Sequence, residues 1–415
     1  MRKLFWIHPI IILLATYFLT GFVFFRFYDT KAWCPPLHHI AWILPFPYTL
    51  SAVIGLFLRY DDPADSRGRI RFFRHLYIVV VTKGSNRDAV YRGWASLKHL
   101  RDPERGIHLH VLTDEPNYFP EISCITVPRS FATKSAKYKA RALEYFRVLM
   151  RFTQEDWILH LDEESTIDQG SLEACINFIE RTKFDFGQGI ILYNQYEYWS
   201  RPLITVADAI RVGDDIGRFH FQYKVIHQPV FGAHGSFLLT NGQLENEIGW
   251  EISGMTEDFE FALRSWLRGY SCGEILGIVR EQSPESIVDF LKQRRRWFVG
   301  IRSVSHPIAR YLVFQWICGV VCAVVTTLNI CLQPLRGLRS PIWVGVIGNF
   351  SFVVFLYMYA LGIAIQDYDA GVSIGKMTVH IIVTVILQPL ASLLECLSVL
   401  YGIFCSPSGF EVIKK

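Results

Sequence analysis

Long apolar runs occupy both ends of this chain, and between them short apolar stretches alternate with charged and polar ones. Leu4 to Phe25 holds 22 residues without Asp, Glu, Lys or Arg. As a helix it would rise about 33 Å, enough for a hydrocarbon core of about 30 Å. Arg2 and Lys3 in front of it also suit a cleaved signal peptide, but the run is long for one and no small-x-small site closes it. An uncleaved anchor is therefore expected. The next run, Ile40 to Leu58, contains Pro45 and Pro47 and predicts a kinked helix that spans or re-enters the bilayer. After Pro307 come three further runs, Ile308 to Leu332, Ile342 to Ile365 and Met377 to Phe404, which predict two or three spans.

The middle of the chain carries a different pattern. Leu76 to Thr82, Ile107 to Thr113 and Trp157 to Leu161 have the form of buried strands, and Ala136 to Met150 and Ser171 to Arg181 that of helices. Strands alternating with helices predict an α/β domain built on a mainly parallel sheet, whose ligands bind beyond the carboxyl ends of the strands. The expected organisation is an N-terminal membrane anchor at 1–58, a soluble domain at 59–307 and a C-terminal membrane region at 308–415.

Composition strengthens the membrane reading. Of 415 residues 51% are hydrophobic and 19% charged, and mean hydropathy is positive, a balance that a soluble surface rarely supports. A net charge of +4 is too small to imply nucleic-acid binding. The nine cysteines include no C-x-x-C pair and read as buried thiols in a reducing compartment; Cys318 and Cys322, one turn apart, read as packing residues. Basic residues near the first and third segments favour a cytosolic soluble domain. With five crossings, Arg336 and Arg339 would lie outside and Asp367 and Asp369 inside, so one C-terminal run can instead lie in the interface. The sequon Asn349 to Ser351 falls inside an apolar run, out of reach of glycosylation.

Three clusters can carry chemistry. Trp157 to Leu161 ends in Asp162-Glu163-Glu164, which places Asp162 and Glu164 on one side of an extended chain at a strand edge. Two hard oxygen ligands there suit Mg2+ or Mn2+ held with substrate phosphates; a solvated acidic loop is the plainer alternative. Thr256-Glu257-Asp258 precedes the amphipathic stripe Phe259, Ala262, Leu263, Trp266 and Leu267, closed by Gly269. Thr256 is the expected N-cap. Glu257 and Asp258 either stabilise the first turn alone or provide a general base in Asp258. In the third cluster, Ser283-Pro284-Glu285 is the expected helix start, and the spacing puts Gln293, Arg296 and Trp297 on one helical face. Arg296 suits phosphate oxygens and Trp297 a sugar or acceptor, while Arg294 and Arg295 suit lipid head groups beside a span. Tyr193, Tyr196, Tyr198 and Trp199 form either a sugar-stacking group or a hydrophobic seam. His108, His110, His227 and His234 make no ligand set and read as structural.

The order of a strand-end acidic cluster, T-E-D, Q-x-x-R-W and membrane segments resembles glycosyltransferase family two, which contains cellulose, chitin and hyaluronan synthases. His160-Leu-Asp-Glu-Glu164, Phe186-Gly-Gln-Gly-Ile190, Ala207-Asp-Ala-Ile-Arg-Val212 with Asp214-Asp-Ile-Gly217, Glu257-Asp258 and Gln293-Arg-Arg-Arg-Trp297 are similar to the egghead-type β-1,4-mannosyltransferases. That similarity covers most of residues 40 to 305. It implies a GT-A type fold, GDP-mannose as donor, a membrane glycolipid, glucosylceramide, as acceptor, and Mn2+ or Mg2+ at Asp162 and Glu164. The family often has a second Asp where Glu164 stands. It further implies that Asp114 contacts the nucleoside, that Lys139 lies near the donor phosphates together with Asp162, Gln293 and Arg296, and that Asp258 is the base. Trp297, Glu257 and Trp199 fall on the acceptor side. The expected reaction is a single inverting displacement at a membrane of the endoplasmic reticulum or Golgi. A processive polysaccharide synthase using a UDP-sugar is the alternative within enzymes, and a non-catalytic membrane adaptor the alternative outside them.

Overall fold

A computed structural model describes residues 7–27, 40–60, 71–115, 119–332, 342–407 and 413, with the side chains of 22–27, 330 and 332 excepted. Along the chain the elements run α1 (Ile7–Phe27), α2 (Phe46–Phe57), β1 (His75–Thr82), α3 (Arg87–Leu97), β2 (Ile107–Asp114), β3 (Cys124–Val127), α4 (Tyr138–Met150), β4 (Asp156–Asp162), β5 (Thr166–Ile167) and α5 (Gln169–Arg181). There follow β6 (Phe186–Leu192), α6 (Pro202–Asp214), β7 (Leu238–Asn241), α7 (Gly242–Ile248), α8 (Glu257–Leu267), β8 (Cys272–Arg280), α9 (Ile287–Ser303), α10 (Pro307–Leu332), α11 (Ile342–Asp369) and α12 (Ile374–Phe404). They form two compact units. A sheet unit comprises Asp61–Tyr196 and Gln222–Glu285, and a helical unit comprises Met1–Tyr60, Glu197–Phe221 and Ser286–Pro407.

The sheet unit is α/β, with strand order β3-β2-β1-β4-β7-β6-β8-β5. β1 is a run of β-branched and aromatic residues, buried from Leu76 to Thr82, as a strand covered on both faces must be. It pairs in parallel with β2 and β4, and this register brings Val81 opposite Asp162 and Thr82 opposite Thr113. The carboxyl ends of three strands thus form one edge. The sheet is more mixed than the alternation of elements predicts, because β7 inserts antiparallel between β4 and β6. On the face of β4, His160 Nε2 lies 2.5 Å from Glu245 Oε1, whose carboxylate also accepts from Thr240 Oγ1 and Trp250 Nε1. That buried network fixes β4 two residues before its acidic end.

In the helical unit, α10 (through Asn329), α11 and α12 are each long and apolar enough to cross a membrane. Residues 22–27 aside, the apolar part of α1 is Ile7–Gly21; Leu4 to Trp6 lie outside the described residues. The run Ile40 to Leu58 is not one kinked span. A turn at residues 42–45 breaks it, and α2 has 12 residues, about 18 Å of helix. Pro47 sits in the first turn of α2, where its missing N–H leaves no bond unmade. The segment Glu197–Phe221, inside the expected 59–307, belongs to this unit; ten of the thirteen residues of α6 are buried. α6 packs on α11 so closely that a Cβ at Gly362 would overlap the carbonyl oxygen of Ala209, the small-residue approach typical of helices in lipid.

Several local expectations need correction. Thr256 occupies the N-cap position of α8, but its buried hydroxyl makes no hydrogen bond among the described residues. α9 starts after Ser286, whose Oγ accepts from Asp289 N at 3.1 Å, and not at Ser283. Arg294 and Arg295 are buried instead of meeting lipid head groups: Arg294 pairs with Asp208 and Glu395, and Arg295 packs on the Tyr401 ring at 3.9 Å. Cys331 and Cys405 are exposed, unlike the other described thiols, of which Cys124 is half-buried; Cys34 lies outside the described residues. Asn349 is buried and donates to Thr20 Oγ1 at 3.1 Å.

Candidate active site

The site is built on the carboxyl edge of β4. Asp162 closes the strand, and Glu163 accepts from Thr82 Oγ1 at the end of β1. α4 begins opposite this edge and presents two cations from its first turn. Lys139 Nζ donates to Asp162 and, at 2.8 Å, to the carbonyl of Gly235. Arg141 Nη1 donates to Asp114 Oδ1 at 3.0 Å. Asp114 ends β2, which β1 separates from β4. The approach to α4 is fixed by Glu251, whose carboxylate accepts from the backbone N–H groups of Lys134, Ser135 and Ala136.

Asp258 enters from α8. Its Oδ1 accepts from Phe259 N at 2.8 Å. A Cβ on Gly235 would stand 3.1 Å from Asp258 Oδ2 and 3.2 Å from Lys139 Nζ, so both charged groups lie against this glycine. The loop that carries Gly235 is held by Gln188 in β6. Its Nε2 donates to the carbonyls of His234 and Ser236, and its Oε1 accepts from His234 N and Tyr223 Oη, all within 2.8–2.9 Å. This is the structural work of the Phe186-Gly-Gln-Gly-Ile190 motif.

Burial raises the carboxyl of Asp258 above its usual value, against the opposing pull of the Phe259 N–H, Lys139 and His234; Asp162 adds to the rise. Lys139 is driven the other way by its neighbours. Burial disfavours its charge, but Asp162, Glu257 and Asp258 together hold it above the ordinary lysine value. Asp114 is raised by burial, with Arg141 and Lys83 opposing.

One acidic residue was not foreseen. Glu281 follows the end of β8, and its carboxylate comes within 4.8 Å of those of Asp162 and Glu164. Glu164 and Glu281 are buried. Ser165 Oγ donates to Glu281 Oε1 at 3.0 Å and lies 2.8 Å from Ser236 Oγ, which ties this acid to the Gly235 loop. Three carboxylates this close repel one another unless cationic charge is supplied. Their all-oxygen character fits a hard divalent cation such as Mg2+ or Mn2+.

The structure thus brings together Asp162, Glu164, Lys139 and Asp258, with Glu257 one residue away and Asp114 two strands over. Gln293, Arg296, Trp297 and Trp199 belong to the helical unit. Gln293 is buried in α9 and accepts from Arg294 Nη1 at 2.7 Å, and the Trp297 ring carries the guanidinium carbons of Arg211 and Arg294 at 4.4 and 4.3 Å from its centroid. Trp199 donates from Nε1 to Asp367 Oδ1 at 3.1 Å and stacks on His380 at 3.9 Å. Besides Glu281, two more residues belong to the site without a signal in the sequence pattern: Arg141, which pairs with Asp114, and His234, whose charge bears on Asp258. A strand-end acid after β8, like that after β4, was the available signal for Glu281.

The family model "Glycosyl transferase family group 2" matches residues 157–365, half of the chain. The chain belongs to this family. It is 32% identical over 309 residues to the β-1,4-mannosyltransferase egh of Drosophila melanogaster, a match covering 70% of this chain and 66% of that one. It is 31% identical to the β-1,4-mannosyltransferase bre-3 of Caenorhabditis elegans over 74% of this chain and 70% of that one. The alignment therefore spans about two thirds of the fly relative. Among solved structures, a mannosyltransferase from Pyrobaculum calidifontis in complex with GDP-Man and Mn2+ is similar at a TM-score of 0.45 and 12% identity, covering 89% of this chain and 100% of that one. This glycosyltransferase accordingly has the α/β architecture and the C-terminal apolar helices expected for its family, and its acidic edge is the candidate catalytic centre.

Proposed function

We propose that the enzyme is an inverting mannosyltransferase that moves mannose from GDP-mannose to the glycolipid glucosylceramide, forming a β-1,4 linkage. The observation that carries this reading is the convergence of Asp162, Glu164, Lys139 and Asp258 on one strand edge, in a chain similar along most of its length to β-1,4-mannosyltransferases.

Asp258 takes the proton from the attacking acceptor hydroxyl. A carboxylate raised above its ordinary value is a stronger base than a free one. Lys139 holds Asp162 in place and contributes fixed positive charge beside the leaving diphosphate, where charge grows in the transition state. Asp162, Glu164 and Glu281 would hold a divalent cation, which when bound supplies further positive charge for the diphosphate oxygens. Asp114 serves the nucleoside, Gln293 and Arg296 the diphosphate, and Trp297, Glu257 and Trp199 the acceptor. One displacement inverts the anomeric centre. The reaction takes place at a membrane of the endoplasmic reticulum or Golgi with the sheet unit in the cytosol, where a lipid acceptor and a soluble donor can meet; the long apolar helices support the membrane part of this reading.

The test is transfer of radiolabelled mannose from GDP-mannose to glucosylceramide by detergent-solubilised protein with Mn2+ or Mg2+, with UDP-glucose and UDP-N-acetylglucosamine in parallel. A labelled two-sugar glycolipid is expected. Turnover only with a UDP-sugar overturns the donor assignment, a long insoluble polymer establishes a processive synthase instead, and no metal-dependent turnover of any donor leaves a non-catalytic adaptor.

A further inference from the structure

Arg294 lies inside the Gln293-to-Trp297 motif, yet its side chain is turned into the helical unit and nearly fully buried. Each of its three nitrogens meets a different partner. Nη2 pairs with Asp208 of α6, Nε with Glu395 of α12 at 2.9 Å, and Nη1 with the side-chain oxygen of Gln293 at 2.7 Å. Its guanidinium carbon also stands 4.3 Å from the centre of the Trp297 ring. On the same ring lies Arg211, one turn after Asp208 on α6.

Stability does not explain this arrangement. Asp208 is fully buried, and its Oδ2 has no hydrogen-bond partner among the described residues. A fully desolvated carboxylate with one oxygen left without a hydrogen bond costs free energy, and buried ion pairs replaced by apolar residues often leave a protein as stable or more so. What the pair does provide is geometry. A guanidinium gripped from two helices has one orientation, and that orientation fixes both the Gln293 amide and one contact of the Trp297 ring.

We propose that Asp208, Arg294 and Glu395 form a positioning hub for the transfer reaction. Asp208 and Glu395 touch no substrate; they act through Arg294 to set Gln293 and Trp297. This rests on the reading that Gln293 and Trp297 serve diphosphate and acceptor. Lysine cannot replace Arg294, because one ammonium lacks the planar fork that reaches three partners at fixed angles.

The test combines kinetics with a structural reporter on the full chain in detergent. Arg294→Lys and Asp208→Asn are compared with wild type, labelled with 5-fluorotryptophan, and the Trp297 resonance is assigned by its loss in Trp297→Phe. The hub predicts that both variants move the Trp297 resonance and leave those of Trp157 and Trp250, in the sheet unit, in place. It also predicts that kcat falls on the order of 100-fold, the cost of an ångström-scale misplacement, while the donor KM stays within about twofold. Glu395→Gln, which keeps an oxygen to accept from Nε, retains most of the turnover. An unmoved Trp297 resonance overturns the hub, and so does a moved resonance with unchanged kcat. Loss of all tryptophan dispersion in one variant marks misfolding, and the other variant then decides. If wild type transfers no mannose, the donor assignment fails while the Trp297 resonance still decides the hub, with kcat read on whichever nucleotide sugar turns over.

Discussion

In the sheet unit, Asp162, Glu164 and Glu281 crowd three carboxylates within 4.8 Å, and Asp258 adds a fourth nearby. In the helical unit, the buried carboxylates of Asp208, Asp214 and Asp367 are matched by Arg294, Arg218 and His380. Both regions take charge out of water, but in the first the carboxylates face one another, whereas in the second each faces a basic side chain. Carboxylates that converge suit a cation from outside the chain, whereas a carboxylate set against a basic side chain orders the chain itself. The first arrangement marks chemistry, and the second marks a scaffold whose charges are spent on orientation.

The sharpest break of this contrast is Asp258→Asn. If the sheet unit holds the reaction, transfer falls about 10²- to 10⁴-fold, with donor binding and melting temperature retained; an active variant would falsify the base assignment. In the unaltered enzyme, burial has raised Asp258 above 3.8, so its base form is lost as pH falls through that higher value. The acidic limb of kcat against pH is therefore expected above the ordinary aspartate range, and a limb at or below it contradicts the geometry. Glu281→Gln comes next. Taking one charge from the cluster should weaken Mn2+ affinity by about 10- to 100-fold, readable by titrating activity with metal, and an unchanged midpoint removes Glu281 from the set.

A steric change in the helical unit should act on stability and spare chemistry. Gly362→Ala forces α11 away from Ala209, at about 1–3 kcal/mol, and should lower the melting temperature in detergent while the metal midpoint stays put. The smallest effect is a pH dependence of the sheet. Burial, with His108 and Arg101 nearby, depresses His110 to about 4 from 6.5. The unfolded chain takes up this proton below 6.5 and the folded chain does not, so His110 contributes its stability in full above 6.5 and loses it as pH falls toward about 4. His110→Gln should flatten that part of the melting curve against pH.

The contrast also shows what the sequence could disclose. β1 and β4 were legible because a strand buried on both faces is a mostly apolar run, broken in β4 by His160 alone between Trp157 and Leu161, and the acids after β4 end it abruptly. Glu281 was not, since its place beside Asp162 depends on β8 docking through β6 and β7, a pairing that no local pattern encodes. Arg294 and Arg295 illustrate the opposite error. A basic triplet next to a span reads as surface charge because the acids that neutralise Arg294 lie far along the chain, on α6 and α12. The membership of Glu197–Phe221 was hidden in the same way, although Pro202 to Val212 is largely apolar and could have been counted with the ends. The T-E-D motif was legible in its residues and Thr256 takes the N-cap position, although the Asp258 carboxylate, and not the Thr256 hydroxyl, accepts a backbone N–H at the start of α8.

The interleaving of the two units bears on how the enzyme is made and handled. Each unit is assembled from separated stretches of chain: the sheet gains β8 only after residue 272, and the helical unit is completed only by α12. During synthesis, early strands must wait for late ones, and α6 emerges before the helices it packs on, α11 and α12. A fragment trimmed to residues 61–285 for expression in water would carry Glu197–Phe221 without the partners that bury its apolar face, and such a fragment should aggregate. Splicing a short polar linker across 197–221, rather than cutting at the membrane boundary, is the rational route to a soluble piece that keeps the acidic edge without the groups of the helical unit.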